Sequence, residues 1–266
     1  MKMFLVEFPA FMLRVRVHDS RSSMGEDAAI SCAECINELL QAKDEINMIF
    51  AAAPSQNEFL ESLLKQDVDF SRINAYHMDE YIGLEEGAKQ CFGTYLYEHL
   101  FKHANFKTVN YIDPTATDIP AECLRYSEMI QSNPPDIVCM GIGENGHIAF
   151  NDPGTHMADF TDPFLVKQVK LDEVCRNQQV NDGCFESIDL VPEYAITLTI
   201  PALMKAKHIF CIVPAKSKAN AVYNTVKGKI SVECPASILR MQLDANMFCD
   251  IDSASLIYDS DKGKIL

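Results

Sequence analysis

Four groups of side chains in this chain have types and spacing suited to chemistry. The first lies in residues 141–154, where Gly141, Gly143 and Gly146 run into His147 and then Asn151, Asp152, Pro153 and Gly154. A histidine beside a carboxylate on irregular backbone suits proton transfer, because imidazole changes charge near neutral pH. The second is the acid pair Asp79 and Glu80. A carboxylate in a partly dry crevice has its pKa raised and becomes a useful base. The third is the sequence Ala53-Pro54-Ser55-Gln56-Asn57-Glu58, and the fourth is the lysine pair Lys216 and Lys218 behind Pro214. A strand, a tight turn and a helix start can cradle an anion on backbone N–H groups. Lysines at a helix start oppose the helix dipole, so helix stability alone does not account for them.

Each group sits after an apolar run that reads as a buried parallel strand. Residues 136–140 precede the glycines, 47–52 precede the Ser55 turn, 73–78 precede Asp79, and 208–213 precede the lysines. Ligands in open α/β sheets bind at the carboxyl ends of such strands. The spacing Gly141-x-Gly143-x-x-Gly146 also matches a dinucleotide fingerprint, but that fingerprint needs a helix directly after it and an acid about 20 residues on, at the tip of the next strand. Neither is present, so no nicotinamide cofactor is expected.

Helical periodicity predicts helices over residues 26–43, over 58–64 opened by a capping box from Ser55 to Glu58, and over 95–103 and 121–131. Further helices are expected over 173–180, where Arg176 lies, after Pro201, and from about Ser253. Additional strands are expected over 13–17 as an edge, and over 108–112, 166–171, 195–200 and 246–249. A turn-rich segment spans 156–163. The alternation gives the fold class: α/β, a doubly wound, mostly parallel Rossmann-like sheet with helices on both faces, in one domain over residues 1–266.

Net charge is −15, which argues against nucleic acid or an acidic membrane surface as partner. No apolar run approaches the roughly 18 residues of a membrane span. The ten cysteines show no framework spacing, and Cys32-Ala-Glu-Cys35 lacks a second pair, so they are read as reduced residues of a cytoplasmic protein.

Three stretches together resemble the glucosamine-6-phosphate deaminase/isomerase family: Met78-Asp79-Glu80-Tyr81-x-Gly83-Leu84, Gly141-x-Gly143-x-x-Gly146-His147-Ile148-Ala149-Phe150-Asn151, and Val213-Pro214-x-x-x-Lys218-Ala219. The likeness extends over about residues 15–257. It implies isomerisation of an open-chain amino sugar phosphate from aldose to ketose with loss of ammonia, without cofactor or metal. Asp79 falls on the base that moves a proton between C2 and C1, and His147 on the group that opens the ring. Asn145 and Asp152 fall on two acids that tune the histidine; the first is here an amide and the second a shorter acid. The substrate contacts implied are Ser55, Gln56, Glu80, Gly146, Arg176 and Lys218. The family's Gly-Gly phosphate loop is replaced by residues 53–57, and its arginine aligns with Asn181, one helical turn after Arg176. The expected partner is a small-molecule sugar phosphate, and the resemblance points to a homo-oligomer, although no heptad or repeat does. Two other readings stay open: a 6-phosphogluconolactonase-like hydrolase, which shares the glycine-histidine loop, and a non-catalytic sugar-phosphate sensor.

Overall fold

The computed structural model describes residues 3–154, 157–181 and 183–266. The chain runs β1 (Val6–Ala10), β2 (Leu13–His18), α1 (Arg21–Ala42), β3 (Ile46–Phe50), α2 (Asn57–Leu63), β4 (Ile73–His77) and β5 (Asp79–Tyr81). It continues through α3 (Phe92–His99), β6 (Thr108–Asn110), α4 (Ile119–Ser132), β7 (Ile137–Met140), β8 (Val166–Lys170) and α5 (Glu173–Asn181). The last part holds β9 (Tyr194–Leu198), α6 (Ile200–Leu203), β10 (His208–Val213), α7 (Ala219–Lys227), β11 (Ala245–Asp250), β12 (Tyr258–Asp259) and β13 (Lys264–Ile265).

Eight strands form the main sheet in the order β1-β2-β11-β10-β7-β3-β4-β6. All neighbours except β1 and β2 are parallel. The parallel strands are apolar on both faces because two cores cover them. One, with Met24, Ile36, Phe59 and Leu96, lies under α1, α2 and α3; the other, with Tyr126, Ile130, Leu203 and Val222, lies under α4, α6 and α7. From β3 the chain moves outward to β4 and β6, then returns to place β7 on the other side of β3. The switch point between β3 and β7 opens a crevice at their carboxyl ends.

Several local expectations are corrected. Residues 13–17 are not an edge strand, since β1 covers β2 as the antiparallel edge. Helix α1 begins at Arg21, five residues earlier than the periodicity suggested, because the Ser20 side chain accepts from the Ser23 N–H and caps it. The capping box at Ser55 does not form: Pro54–Gln56 is a turn of 3₁₀ helix, and α2 starts at Asn57 without a side-chain cap. Glu58, which would have completed that box, instead pairs with Arg21, Nε to Oε1 and Nη2 to Oε2, each at 2.9 Å. Residues 253–257 form turns rather than a helix, followed by the β12–β13 hairpin. In the turn-rich segment, His156 lies outside the described residues.

The largest correction concerns the second sheet. β5, β9 and β8 form a separate three-stranded antiparallel sheet, in which Asp79 is paired with Thr197. The acid pair is therefore held on a strand, not on a loop. Among the described residues no helix is long and apolar enough to cross a membrane.

Candidate active site

A cleft of about 890 Å³ opens at the switch point. The loops after β3 and β7 form its floor, through Ala51 to Ser55, Gly141 to Gly143 and His147, with Pro214, Ala215, Ser217 and Lys218 from the segment after β10. Asp79, Ala149 and Phe150 line it from the strand and loop that meet the second sheet, and Tyr95, Gln178, Gln179 and Glu186 line it as well.

The glycine loop folds back on itself. Gly143 N donates to His147 O at 2.9 Å, and Gly146 N donates to Gly143 O at 3.0 Å. The imidazole lies so close to Gly143 that a Cβ there would stand 2.2 Å from Cε1 and 2.3 Å from Nδ1. Only a residue without a side chain fits under the ring. Gly146 has φ +88°, a left-handed conformation that favours glycine, and packs against Cys234. It is buried and shapes the loop rather than lining the cleft, which corrects its expected substrate contact. Asn151 Nδ2 fastens the far end of the loop to Ile148 O and Leu198 O, and Phe150 N donates to Thr197 Oγ1. Ala149 adopts φ +49°, a strained conformation for alanine inside the cleft wall.

His147 is nine-tenths buried, with Nδ1 3.0 Å from Asp152 Oδ1. The ring nitrogen and the carboxylate oxygen are in direct polar contact. Asn145 Nδ2 donates to the same Oδ1 at 3.1 Å, and Asn145 Oδ1 accepts from the His147 N–H at 3.0 Å. Burial alone would raise the Asp152 carboxyl, but His147 and Asn145 together hold it below the usual aspartate range. Asp152 therefore stays ionised beside the imidazole. Cys175 of α5 is fully buried against this pair, its thiol pushed well up by burial and by the surrounding carboxylates.

Asp79 points into the cleft with 7% exposure, and its pKa is raised well above the usual aspartate value, first by burial and then by the charge of Glu80. Glu80 does not line the cleft, against expectation. It accepts N–H bonds from Tyr81, Phe92 and Gly93 at 2.9 to 3.0 Å. Helix α3 has no side-chain cap of its own at Cys91, so Glu80 supplies it and ties β5 to α3. Burial pushes the Glu80 carboxyl up to about 7 even though those three donors lower it.

The cationic side differs most from expectation. Lys218 lines the cleft, reached through Ala215 at φ +81°, whose N–H is held by Asp250 Oδ1 and Oδ2 at 3.2 and 3.0 Å. Ser55 also lines it, whereas Gln56 is buried behind Ser55, its Nε2 donating to Ser55 Oγ and to Ile212 O. Gln56 thus positions Ser55 and does not face a ligand. Arg176 does not reach the cleft: its Nη2 donates to Ile188 O and Val191 O at 2.7 and 2.8 Å, bracing the segment after α5. Asn181 is exposed and does not line the cleft. Instead Arg21, at the start of α1, lines it, with Nη2 on Pro54 O at 2.9 Å. Lys89 and Gln179 were likewise missed by sequence reasoning, and so was Gln178, whose Oε1 accepts from the Glu144 N–H at 3.0 Å and supports the glycine loop. The one signal for the glutamines was that they lie on the helix that carries Arg176; Arg21 had none.

Comparison with known proteins agrees with this fold. A family model described as glucosamine-6-phosphate isomerases/6-phosphogluconolactonase matches residues 19–247. A relative called glucosamine-6-phosphate deaminase, from Lactobacillus delbrueckii subsp. bulgaricus, is 31% identical over 245 residues, covering 92% of this chain and 100% of its own. One of the same name from Bacillus cereus is 34% identical over 231 residues, covering 87% of this chain and 86% of the relative. Among solved structures, a monomeric glucosamine-6-phosphate deaminase superposes with a TM-score of 0.82 at 30% identity, covering 91% of this chain and 99% of the other. A 6-phosphogluconolactonase from Thermotoga maritima gives 0.71 at 20% identity, covering 89% and 98%, a likeness of fold.

Proposed function

The chain belongs to the glucosamine-6-phosphate isomerase/6-phosphogluconolactonase family, and on that premise we propose that it converts glucosamine 6-phosphate to fructose 6-phosphate and ammonia, with Asp79 as proton-transfer base and His147 as ring-opening acid and base. The observation that carries this reading is that a buried aspartate of raised pKa and a histidine paired with an ionised aspartate face one cleft.

Ring opening needs a group that donates to the ring oxygen and accepts from the C1 hydroxyl near neutral pH, which an imidazole does. Asp152 stabilises the imidazolium that forms when His147 takes the proton, and Asn145 orients both partners. Asp79 then removes the C2 proton and returns it to C1, which its near-dry setting allows because the proton is not lost to water. The net reaction consumes water as the amine leaves, which places it formally with hydrolases. We assign the phosphate to Lys218, Ser55 and Arg21; charge-assisted contacts of this kind contribute roughly 1.5–3 kcal/mol each. Glu58 neutralises part of the Arg21 charge. Every group named comes from one chain, so the expected homo-oligomer is not needed for the chemistry, and the deaminase structure at 30% identity is itself described as monomeric. The ten free cysteines support a reducing, cytoplasmic setting.

The test is ammonia release from glucosamine 6-phosphate, run beside galactosamine 6-phosphate and unphosphorylated glucosamine. Release from a phosphate ester, abolished by Asp79→Asn with ligand binding retained, is the expected result. A lactonase would use His147 and leave Asp79 idle, so hydrolysis of a sugar-phosphate lactone that survives Asp79→Asn, without ammonia release, would replace this reading. Saturable binding with no product would replace it with a sensor.

A further inference from the structure

Asp152 is wholly buried, and its two oxygens are unequally served. Oδ1 receives Asn145 and His147, and the Asp172 N–H and the Cys175 thiol also lie against the carboxylate, leaving Oδ2 without a well-formed hydrogen bond among the described residues. A buried carboxylate oxygen left this way is costly and calls for a physical explanation. His147 Nδ1 is likewise buried, 3.0 Å from Oδ1. Cys175, 0% exposed, lies against the same carboxylate, with its thiol in hydrogen-bonding contact with it. Donor atoms of His147, Asp152 and Cys175 all lie within 4.8 Å of one another.

One nitrogen, one oxygen and one sulfur donor form the set that zinc-class cations take, at about 2.0–2.3 Å from the metal, with a fourth position left open. Such bond lengths place tetrahedral donors roughly 3.3–3.8 Å apart, so closing by about an ångström completes the site. We propose that His147, Asp152 and Cys175 form an inhibitory site for a divalent cation of the zinc class, reached from the cleft past His147. The cation takes Nδ1, the carboxylate and the thiolate, and the thiol proton leaves to solvent. An imidazole whose Nδ1 is on a metal keeps its proton on Nε2, so it can donate but no longer accept near neutral pH. That stops ring opening while leaving the fold intact. Serine in place of Cys175 removes the thiolate ligand while keeping a hydroxyl of similar size beside Asp152, which makes this cysteine the residue that decides sensitivity to zinc.

The site is read by spectroscopy, which does not depend on any reaction. The reduced full chain is titrated with Co²⁺, and a thiolate-to-cobalt charge-transfer band is followed in the wild type, Cys175→Ser and Cys175→Ala. The expected result is one equivalent of Co²⁺ whose thiolate band is lost in both variants while the other cysteines are present. Titrations that superimpose in all three proteins overturn the proposal, because the metal then sits on other thiols. In parallel, Zn²⁺ is expected to inhibit ammonia release from glucosamine 6-phosphate at a concentration at least ~10-fold lower in the wild type than in Cys175→Ser, whose turnover without metal stays within a few-fold of wild type. Cys175-dependent binding that leaves turnover unchanged overturns the inhibitory role. Absence of turnover in metal-free protein bears on the proposed reaction alone, since the cobalt band still decides the site.

Discussion

Gly143→Ala isolates the histidine from everything around it. Gly143 has an ordinary backbone conformation, so alanine is allowed there and the substitution acts only through the space its Cβ takes. That carbon would fall 2.2, 2.3 and 2.5 Å from Cε1, Nδ1 and Nε2 of His147, whereas ordinary contact begins near 3.4 Å. The ring has to retreat by about 1.2 Å, or the loop between Gly143 and His147 has to open. A displacement of about an ångström in a reacting group costs on the order of 100-fold in rate, equivalent to about 2.7 kcal/mol of activation free energy. Overpacking lowers stability by roughly 1–3 kcal/mol as well, so the assay has two parts. Thermal unfolding gives the stability loss, and ammonia release from glucosamine 6-phosphate, at a temperature where both proteins are folded, gives the catalytic loss. Gly263→Ala is the control, because it forces alanine into φ +60° in open space far along the chain; its cost is about 1–2 kcal/mol of stability with unchanged turnover. A Gly143→Ala protein that turns over within about threefold of wild type, a free-energy effect near 0.7 kcal/mol, would refute the assignment of His147 to ring opening or the position given to it.

Other perturbations separate the remaining groups. Glu80→Gln removes the charge that helps raise the Asp79 carboxyl, so the acidic limb of the rate profile moves to lower pH; an unmoved limb would exclude Asp79 as its source. The folded Glu80 titrates near 7 against 4.5 for a free side chain, so its stabilising contribution is present below 4.5 and is lost as pH rises through about 7, and Glu80→Gln flattens that part of the stability profile measured by thermal unfolding. Asn145→Asp places a second carboxylate where an amide now donates to Asp152 at 3.1 Å, and the repulsion is expected to lower stability by roughly 1–3 kcal/mol above the carboxylate range, with recovery on acidification. Lys218→Met should raise KM by roughly 10–100-fold with a smaller change in kcat. Arg176→Met should leave KM unchanged and lower the unfolding temperature, because two carbonyls lose their donor; a selective rise in KM would return Arg176 to the phosphate site.

The chain's local patterns decided a large part of this protein. Apolar runs ending in glycine, acid or proline located β3, β4, β7 and β10 to within a residue or two, because a strand buried on both faces has few alternatives to an unbroken apolar stretch. The same runs placed Asp79, His147, Ser55 and Lys218 at strand ends, and all four line the cleft. Their chemistry was legible because it depends on residue type and on distance along the chain. Tertiary structure decided which neighbours modify that chemistry. Residues 79–81 join residues over a hundred positions later in a separate sheet, and no local period records a pairing between distant strands. Glu80 is turned to cap α3, Arg176 is consumed by two carbonyls, and Arg21, some 200 residues before Lys218, arrives in the same cleft by way of the Pro54 carbonyl. A side chain's burial and partners set whether it binds, supports or reacts, and those are properties of the packed chain, not of its sequence neighbours.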